Sequence, residues 1–260
     1  MPKKRINIKF ISIVFLALAW LNPNFSYAQI EKKDLKNGGL ELNGIYYQQF
    51  QAGFSLNTNG YSLNARRTWT TSLAYKRGFE MDIAMIRHPK EINDYNYIGG
   101  KSFVYGKLNS LYTVRLGFGE KRKIAKKIDI GSIEISYFYY GGLSLGGVKP
   151  IYLEINTAPI TSDFVHASTE RYDPDKHDLY NIIGGVPFTK GFSEIKIYPG
   201  IYTKFGIDFD YKDSTKKIGT LETGVVVDYY FRDVPIMAKT KNYSYFFALY
   251  LSINFGKKWN

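Results

Sequence analysis

Three histidines are the residues of this chain best suited to acid–base or nucleophilic chemistry. His88 lies three residues before Glu91, and His166 lies close to Ser162 and Asp163. Hydrolytic catalysis needs a nucleophile, a base and an orienting acid in fixed geometry, and neither spacing supplies it. The chain has no cysteine, which excludes a thiol nucleophile, a disulfide and a thiolate metal site. We therefore predict no catalytic residues and no enzymatic activity.

The segment Glu170-Arg-Tyr-Asp-Pro-Asp-Lys-His177 is the most distinctive polar stretch. Arg171, Tyr172, Asp173 and His177 are our candidate interaction residues, since an arginine beside a tyrosine suits a saccharide or a protein surface. The alternative is that these residues hold their own loop against the rest of the fold. The acids and histidines here match no metal-ligand spacing, so we predict no metal and no cofactor.

The first residues have the features of a secretory signal peptide. Met1–Arg5 is basic, the residues from Ile6 to Leu21 are largely apolar, and small residues precede a cleavage site after Ala28. The apolar run is short and interrupted, which disfavours a membrane anchor. We expect residues 1–28 to be a signal peptide and residues 29–260 to form one domain.

Net charge points to lipid rather than nucleic acid as a partner. The whole chain carries +12, and four basic residues without an acid lie in the signal peptide, which leaves 12 − 4 = +8. In an exported protein, the phosphates of outer-membrane lipid and lipopolysaccharide are the expected counterpart of this charge. A protein partner in the cell envelope is a further expectation.

Period-two alternation organises the remaining chain. From Tyr243 to Phe255 the odd positions are apolar or aromatic and the even positions are mostly small or polar, as in a strand with one apolar face. Seven further strands are predicted at about 42–56, 61–76, 79–85, 102–118, 128–146, 192–210 and 221–231. A count of ten strands remains open if the long segment at about 148–191 contains a hairpin.

These strands predict an all-β, transmembrane, antiparallel up-and-down β-barrel of eight strands in the outer membrane. A membrane-spanning sheet must close on itself to pair its backbone polar groups, and 23 tyrosines suit the two membrane interfaces. Alternation does not decide which face points outward. A soluble lipocalin-like barrel with an apolar, lipid-binding interior is therefore the alternative fold.

Polar residues of both charge signs fall on the predicted inward faces. An eight-stranded barrel is only wide enough for side chains to fill it, so we predict an interlocked polar core. A narrow channel is the alternative. The predicted interior residues are Arg66, Glu80, Asp82, Lys107, Arg115, Glu134, Glu194, Lys196, Lys204, Asp208, Glu222 and Asp228.

The sequence also predicts five local features in the strands and their connections. Turns are expected at Arg77-Gly78 and, as a basic turn, over 120–127. A short helix is expected over Asp175–Ile183, and a bulge at Pro199, which lacks a ladder donor. Arg67, which interrupts an apolar face, is expected near the extracellular rim, where it could reach lipid head groups.

Four stretches carry a resemblance to a known family: Asn57–Gly60, His88–Glu91, Gly141–Glu154 and Glu170–His177. Together they resemble an outer-membrane β-barrel family of Bacteroidota-type bacteria, with the small-barrel architecture of OmpX and OmpA. The resemblance covers most of residues 29–260. It implies fold and compartment, and it supplies no catalytic residues.

The predicted role is structural, adhesive or that of an accessory subunit in an envelope complex, with the extracellular loop at about 148–191 as the interaction surface. A lipid A-modifying enzyme is the second hypothesis, and it would need a histidine and a nucleophile converging at the outer rim.

Overall fold

The computed structural model describes residues 48–72, 75–94, 101–125, 133–158, 166–211 and 216–259. The predicted signal peptide and the predicted first six residues of strand one lie outside the described residues. No helix in the described ranges has the length and apolar character that a membrane crossing requires.

Strands account for nearly all the regular structure of the described residues. Their bounds are β1 Gln48–Asn57, β2 Gly60–Thr70, β3 Tyr75–Ile86, β4 Asn93–Asp94, β5 Phe103–Val104, β6 Asn109–Ala125, β7 Glu134–Pro150, β8 Tyr152–Asn156, β9 Ala167–Arg171, β10 Ile182–Gly185, β11 Lys196–Asp210, β12 Lys217–Val234 and β13 Tyr243–Trp259. One turn of 3₁₀ helix covers Phe192–Glu194.

Eight strands form a closed antiparallel barrel in the order β1-β13-β12-β11-β7-β6-β3-β2. The predicted fold class and the count of eight are confirmed. Strands β1 and β13 close the barrel, with Gln48 opposite Trp259. We call that end of the barrel the seam end. The opposite end, from which the connections 87–108 and 151–195 leave, is the loop end.

Burial alternates along each barrel strand and settles which face points inward. Inward positions are mainly charged, hydroxyl or amide residues, whereas the large apolar side chains of the wall point outward and are exposed. A lipocalin-like barrel requires the opposite arrangement. The barrel is therefore of the transmembrane type, and the lipocalin-like alternative is wrong.

Glycines on the inner wall make room for tyrosine rings. A Cβ atom at Gly117 would lie 2.2 Å from the Tyr202 hydroxyl oxygen, and one at Gly206 would lie 2.3 Å from that of Tyr250. Both approaches are far inside van der Waals contact, so only glycine fits at these positions. The narrow interior is filled by side chains.

The long connection at the loop end folds into a small sheet of its own, in the order β10-β8-β9. Phe103, Leu153, Ile155, Tyr172 and Ile182 form its buried cluster. The helix predicted over Asp175–Ile183 is absent: two turns, at residues 174–176 and 179–181, precede β10, whose Ile182 side chain belongs to this cluster. Packing of the loop core therefore overrides local helix preference.

The other local predictions also need correction. The sequence Arg77-Gly78 lies inside β3, and the chain turns instead after Thr71 and Ser72, where the Thr71 amide donates to the Tyr75 carbonyl. Residues 120–125 continue β6. Pro199 pairs with Leu145 without a register shift, and pairing with β12 begins only at the next residue, so no bulge forms there.

Candidate functional site

Arg66 is the centre of the polar core and is fully buried. Its Nε donates to Glu80 Oε2 at 3.0 Å, and its Nη1 donates to Glu222 Oε1 at 2.7 Å. The guanidinium carbon also lies 4.5 Å from the ring centre of Phe138 and 4.6 Å from that of Tyr140. One cation therefore joins two carboxylates of opposite walls and also contacts two neighbouring aromatic rings of β7.

A second arginine repeats this arrangement closer to the loop end. Arg115 donates to Asp228 through Nε at 2.9 Å and through Nη2 at 2.7 Å, and its Nη1 donates to Asp82 at 2.8 Å. The Ser144 hydroxyl donates to Asp228 at 2.9 Å. The Tyr230 hydroxyl donates to Thr113 at 2.7 Å and extends the network.

Lys204 connects the two arginine groups. Its Nζ lies 3.3 Å from Glu80 Oε1 and 3.5 Å from Asp82 Oδ2, and it also lies 4.8 Å from the ring centre of Tyr250. Towards the seam end, Lys121 pairs with Asp208 at 2.5 Å. The ion pairs thus continue along the barrel axis, and charged groups of both signs occupy the interior in layers.

The structure places four of the predicted interior residues elsewhere. Glu194 and Lys196 are exposed. They occupy the even positions that face inward on β11, but they lie at or beyond the loop end of that strand, where no interior remains to bury them. Lys107 precedes β6 and pairs with the loop residue Glu91. Glu134 is half-buried at the seam end, where it accepts from Lys123 at 2.9 Å.

Sequence reasoning missed Lys121 as an interior residue. The run of basic residues predicts a turn there, although Lys121 is an odd-numbered residue of β6, like the inward-facing Thr113 and Arg115. Extending the alternation across the run of basic residues would have found it.

The outer wall is a continuous apolar surface that includes every barrel strand. Large exposed apolar side chains on it include Phe50, Phe54, Leu56, Leu63, Phe79, Ile83, Leu116, Leu143, Ile201, Phe205, Leu221, Phe247, Leu251 and Phe255. Exposed apolar surface of this extent requires an apolar environment, since soluble monomers rarely expose more than a few hundred Å² in one patch.

Aromatic clusters lie towards both ends of this wall. Towards the seam end, the rings of Trp69, Phe79 and Phe118 contact one another with centroids 5.3–5.9 Å apart. Towards the loop end, Tyr243 and Tyr245 pair at 5.5 Å. Rings at two levels are typical of the two membrane–water interfaces.

Arg67 lies on the outer wall towards the seam end, away from the long connections of the loop end, whereas its predicted place is near the extracellular rim. Its neighbours across the two flanking strands are Phe50 and Phe79. The side chain is exposed and donates to the Gln48 amide oxygen at 2.9 Å.

The four candidate interaction residues of the loop occupy different environments. Arg171 is exposed at the end of β9, whereas Tyr172 and His177 are buried in the loop. Asp173 is half-buried and accepts from the Asp175 amide at 3.1 Å, and its own amide donates to His177 Nδ1 at 3.1 Å. The Tyr172 ring contacts Tyr105, and burial raises the pKa of its hydroxyl. Arg171 is directly available to a partner, and the Asp173 carboxylate is partly exposed.

The imidazoles of His88 and His177 are engaged in local structure, whereas His166 is exposed and, among the described residues, only its backbone forms hydrogen bonds. His88 Nδ1 accepts from the Lys90 amide at 3.2 Å, and burial lowers the pKa of its imidazole. His177 Nε2 lies 3.3 Å from Glu170 Oε2. In the described parts of the chain, no cluster of three His, Cys, Asp or Glu residues could hold a metal ion.

Comparison with known proteins found no matching protein-family model and no matching curated protein. Similar solved structures include neisserial surface protein A, with 8% identity, a TM-score of 0.40 and coverage of 82% of this chain and 97% of that one. The attachment invasion locus protein Ail of Yersinia pestis has 8% identity and a TM-score of 0.38, with 83% and 100% coverage. A major outer membrane protein of Thermus thermophilus has 12% identity and a TM-score of 0.39, with 80% and 99% coverage. Similarities this low assign no function to the chain.

Proposed function

We propose that the protein is an integral outer-membrane β-barrel whose sealed core acts as a rigid support for an interaction surface outside the cell. The observation that carries this proposal is the sidedness of the barrel: the wall is apolar outside, and its inward positions are mainly polar or charged. Charged groups in the interior are protected from lipid, and closure leaves no unpaired strand edge in the membrane.

Strand lengths agree with a membrane crossing. The 17 residues of β7 span roughly 40 Å along the barrel axis at about 3.3 Å per residue and a tilt of about 45°, more than the apolar thickness of a bilayer. In the proposed orientation the seam end faces the periplasm and the loop end faces outward.

The first experiment tests membrane integration. Outer-membrane fractions are extracted with carbonate and urea and run on gels with and without boiling. We expect a resistant band whose mobility shifts on heating. Recovery in the soluble periplasmic extract without a heat shift would refute the proposal.

The interaction surface is the β8–β10 sheet with the segment that precedes β10. Tyr180 there is 95% exposed, and Leu179 beside it is 48% exposed. A photo-crosslinking residue at Tyr180 should give a discrete protein adduct on intact cells, whereas one at lipid-facing Ile83 should not. Identical patterns at both positions would refute a role for the loop.

A sealed core argues against the channel alternative. Arg66 and Arg115 cross-link opposite walls by short charge-assisted bonds, and tyrosine rings fill the remaining width. Planar bilayers containing the protein should show no sustained conductance. Stable single-channel steps would favour the channel.

A further inference from the structure

A groove of about 630 Å³ crosses the outer wall over the neighbouring strands β2, β3, β6 and β7, with Phe50 of β1 at its edge. It begins beside Ala65 and Arg67 on β2 and ends at Gly141 and Leu143 on β7. The small side chains at its two ends create the depression, and larger apolar side chains line its length. Three strand spacings of about 4.8 Å separate the ends, or about 14 Å.

The register fixes the direction of the groove. Thr70 ends β2 only three residues beyond Arg67, so Arg67 lies ~7 Å from the seam end of its strand at the usual rise and tilt. Gly141 lies seven residues inside β7, or ~16 Å from the seam end of that strand. The groove therefore runs from near the seam end towards the middle of the wall.

Two exposed cations lie where the groove begins. Phe50 pairs with Arg67 on one side and with Lys257 on the other, so the two basic residues share one row, about 10 Å apart. In the described part of the chain neither forms an ion pair with a carboxylate, and Arg67 donates only to the neutral Gln48 side chain. A cation on a lipid-facing wall is costly unless it meets an anionic group.

We propose that the groove and these two cations form a binding site for one anionic phospholipid of the leaflet at the seam end. The phosphate contacts Arg67 and Lys257, and one acyl chain lies in the groove as far as Gly141. Arginine suits this role because its planar guanidinium can donate two parallel hydrogen bonds to a phosphate. This inference rests on the proposed membrane function.

The test is native mass spectrometry of the full chain in detergent micelles, titrated with phosphatidylglycerol or phosphatidylcholine. One phosphatidylglycerol adduct should survive activation that removes phosphatidylcholine. Arg67→Gln should weaken phosphatidylglycerol retention about tenfold, the scale of one charge-assisted hydrogen bond. Lys196→Gln, which removes an exposed cation at the loop end, is the matched control and should retain the lipid.

A second variant tests the acyl-chain contact independently. A Cβ atom at Gly141 meets nothing closer than the Tyr202 carbonyl oxygen at 3.6 Å, so Gly141→Leu fits the wall and fills the end of the groove. It should reduce retention of phosphatidylglycerol while Arg67 is intact.

Equal retention of the two lipids, or unchanged retention in both Arg67→Gln and Gly141→Leu, would overturn the proposed site. Heat-shift gels on the same samples distinguish failure of the lipid-site proposal from failure of the proposed membrane barrel. A heat shift without lipid selectivity rejects only the lipid site, whereas loss of the heat shift in the wild-type chain rejects the membrane barrel itself.

Discussion

Replacement of Arg66 by methionine tests the polar core most directly. The substitution keeps much of the side-chain volume but removes the guanidinium hydrogen bonds to Glu80 and Glu222, whose side chains are fully buried. Lys204 still lies 3.3 Å from Glu80, and Gln51 still donates to Glu222 at 3.1 Å, so neither carboxylate loses all its partners.

The expected loss in the free energy of unfolding is about 3–5 kcal/mol, the usual cost of removing one partner from a buried ion pair. Urea titration in detergent micelles, followed by tryptophan fluorescence and by the heat-shifted gel band, measures it. The adjacent Arg67→Met is the matched control: its side chain points outward, so it should change stability by less than about 1 kcal/mol.

A charge-removed variant separates electrostatics from packing. Adding Glu80→Gln and Glu222→Gln to Arg66→Met eliminates the uncompensated carboxylates and should restore a large part of the lost stability. If Arg66→Met alone lies within about 1 kcal/mol of the wild type, the guanidinium is not an essential link of the core and the reasoning fails.

Three further outcomes follow from individual contacts. Gly206→Val should destabilise the barrel by about 1–3 kcal/mol in urea titration, since its Cβ meets the Tyr250 hydroxyl, whereas Gly141→Ala should be neutral; equal effects would contradict the inward and outward assignments. Tyr172→Ala should expose the loop to limited proteolysis and leave the heat shift of the barrel unchanged, because this ring belongs to the separate loop cluster; loss of the heat shift would contradict this. Burial holds the pKa of His88 below its ordinary value of 6.5, so protonation favours the open loop. Lowering the pH from 7.5 to 5 should therefore reduce the hydrogen-exchange protection of residues 87–94, measured relative to the intrinsic exchange rate at each pH; protection that rises on acidification would refute it.

Most of the fold is predictable from the alternation of apolar and polar residues. In a barrel strand, odd and even positions face opposite sides, so one assignment places every residue of the strand towards lipid or towards the interior. The alternation assigned Arg66, Glu80, Arg115 and Glu222 from sequence alone. It also assigned Glu194 and Lys196 inward, since parity does not reveal where a wall ends.

Turn and helix signals failed for a different reason. Gly78 resembles a turn residue, but a Cβ there would lie 2.1 Å from the Arg67 carbonyl oxygen, so its glycine serves close strand approach. The residues from Asp175 to Ile183 have local helix signals, yet Ile182 is required in the loop cluster as part of a strand. Both cases depend on contacts distant in sequence, which local patterns do not contain.

The Arg66–Glu222 bonds also have a consequence for the order of folding. The two residues are 156 positions apart, and they lie on β2 and β12. Until β12 joins the sheet, Arg66 on the β1–β2 hairpin lacks the Glu222 carboxylate, and burial of its guanidinium is not favourable. In an incomplete sheet the Arg66 guanidinium therefore stays hydrated. The polar core forms at a late step of folding, when strands from both halves of the chain are paired.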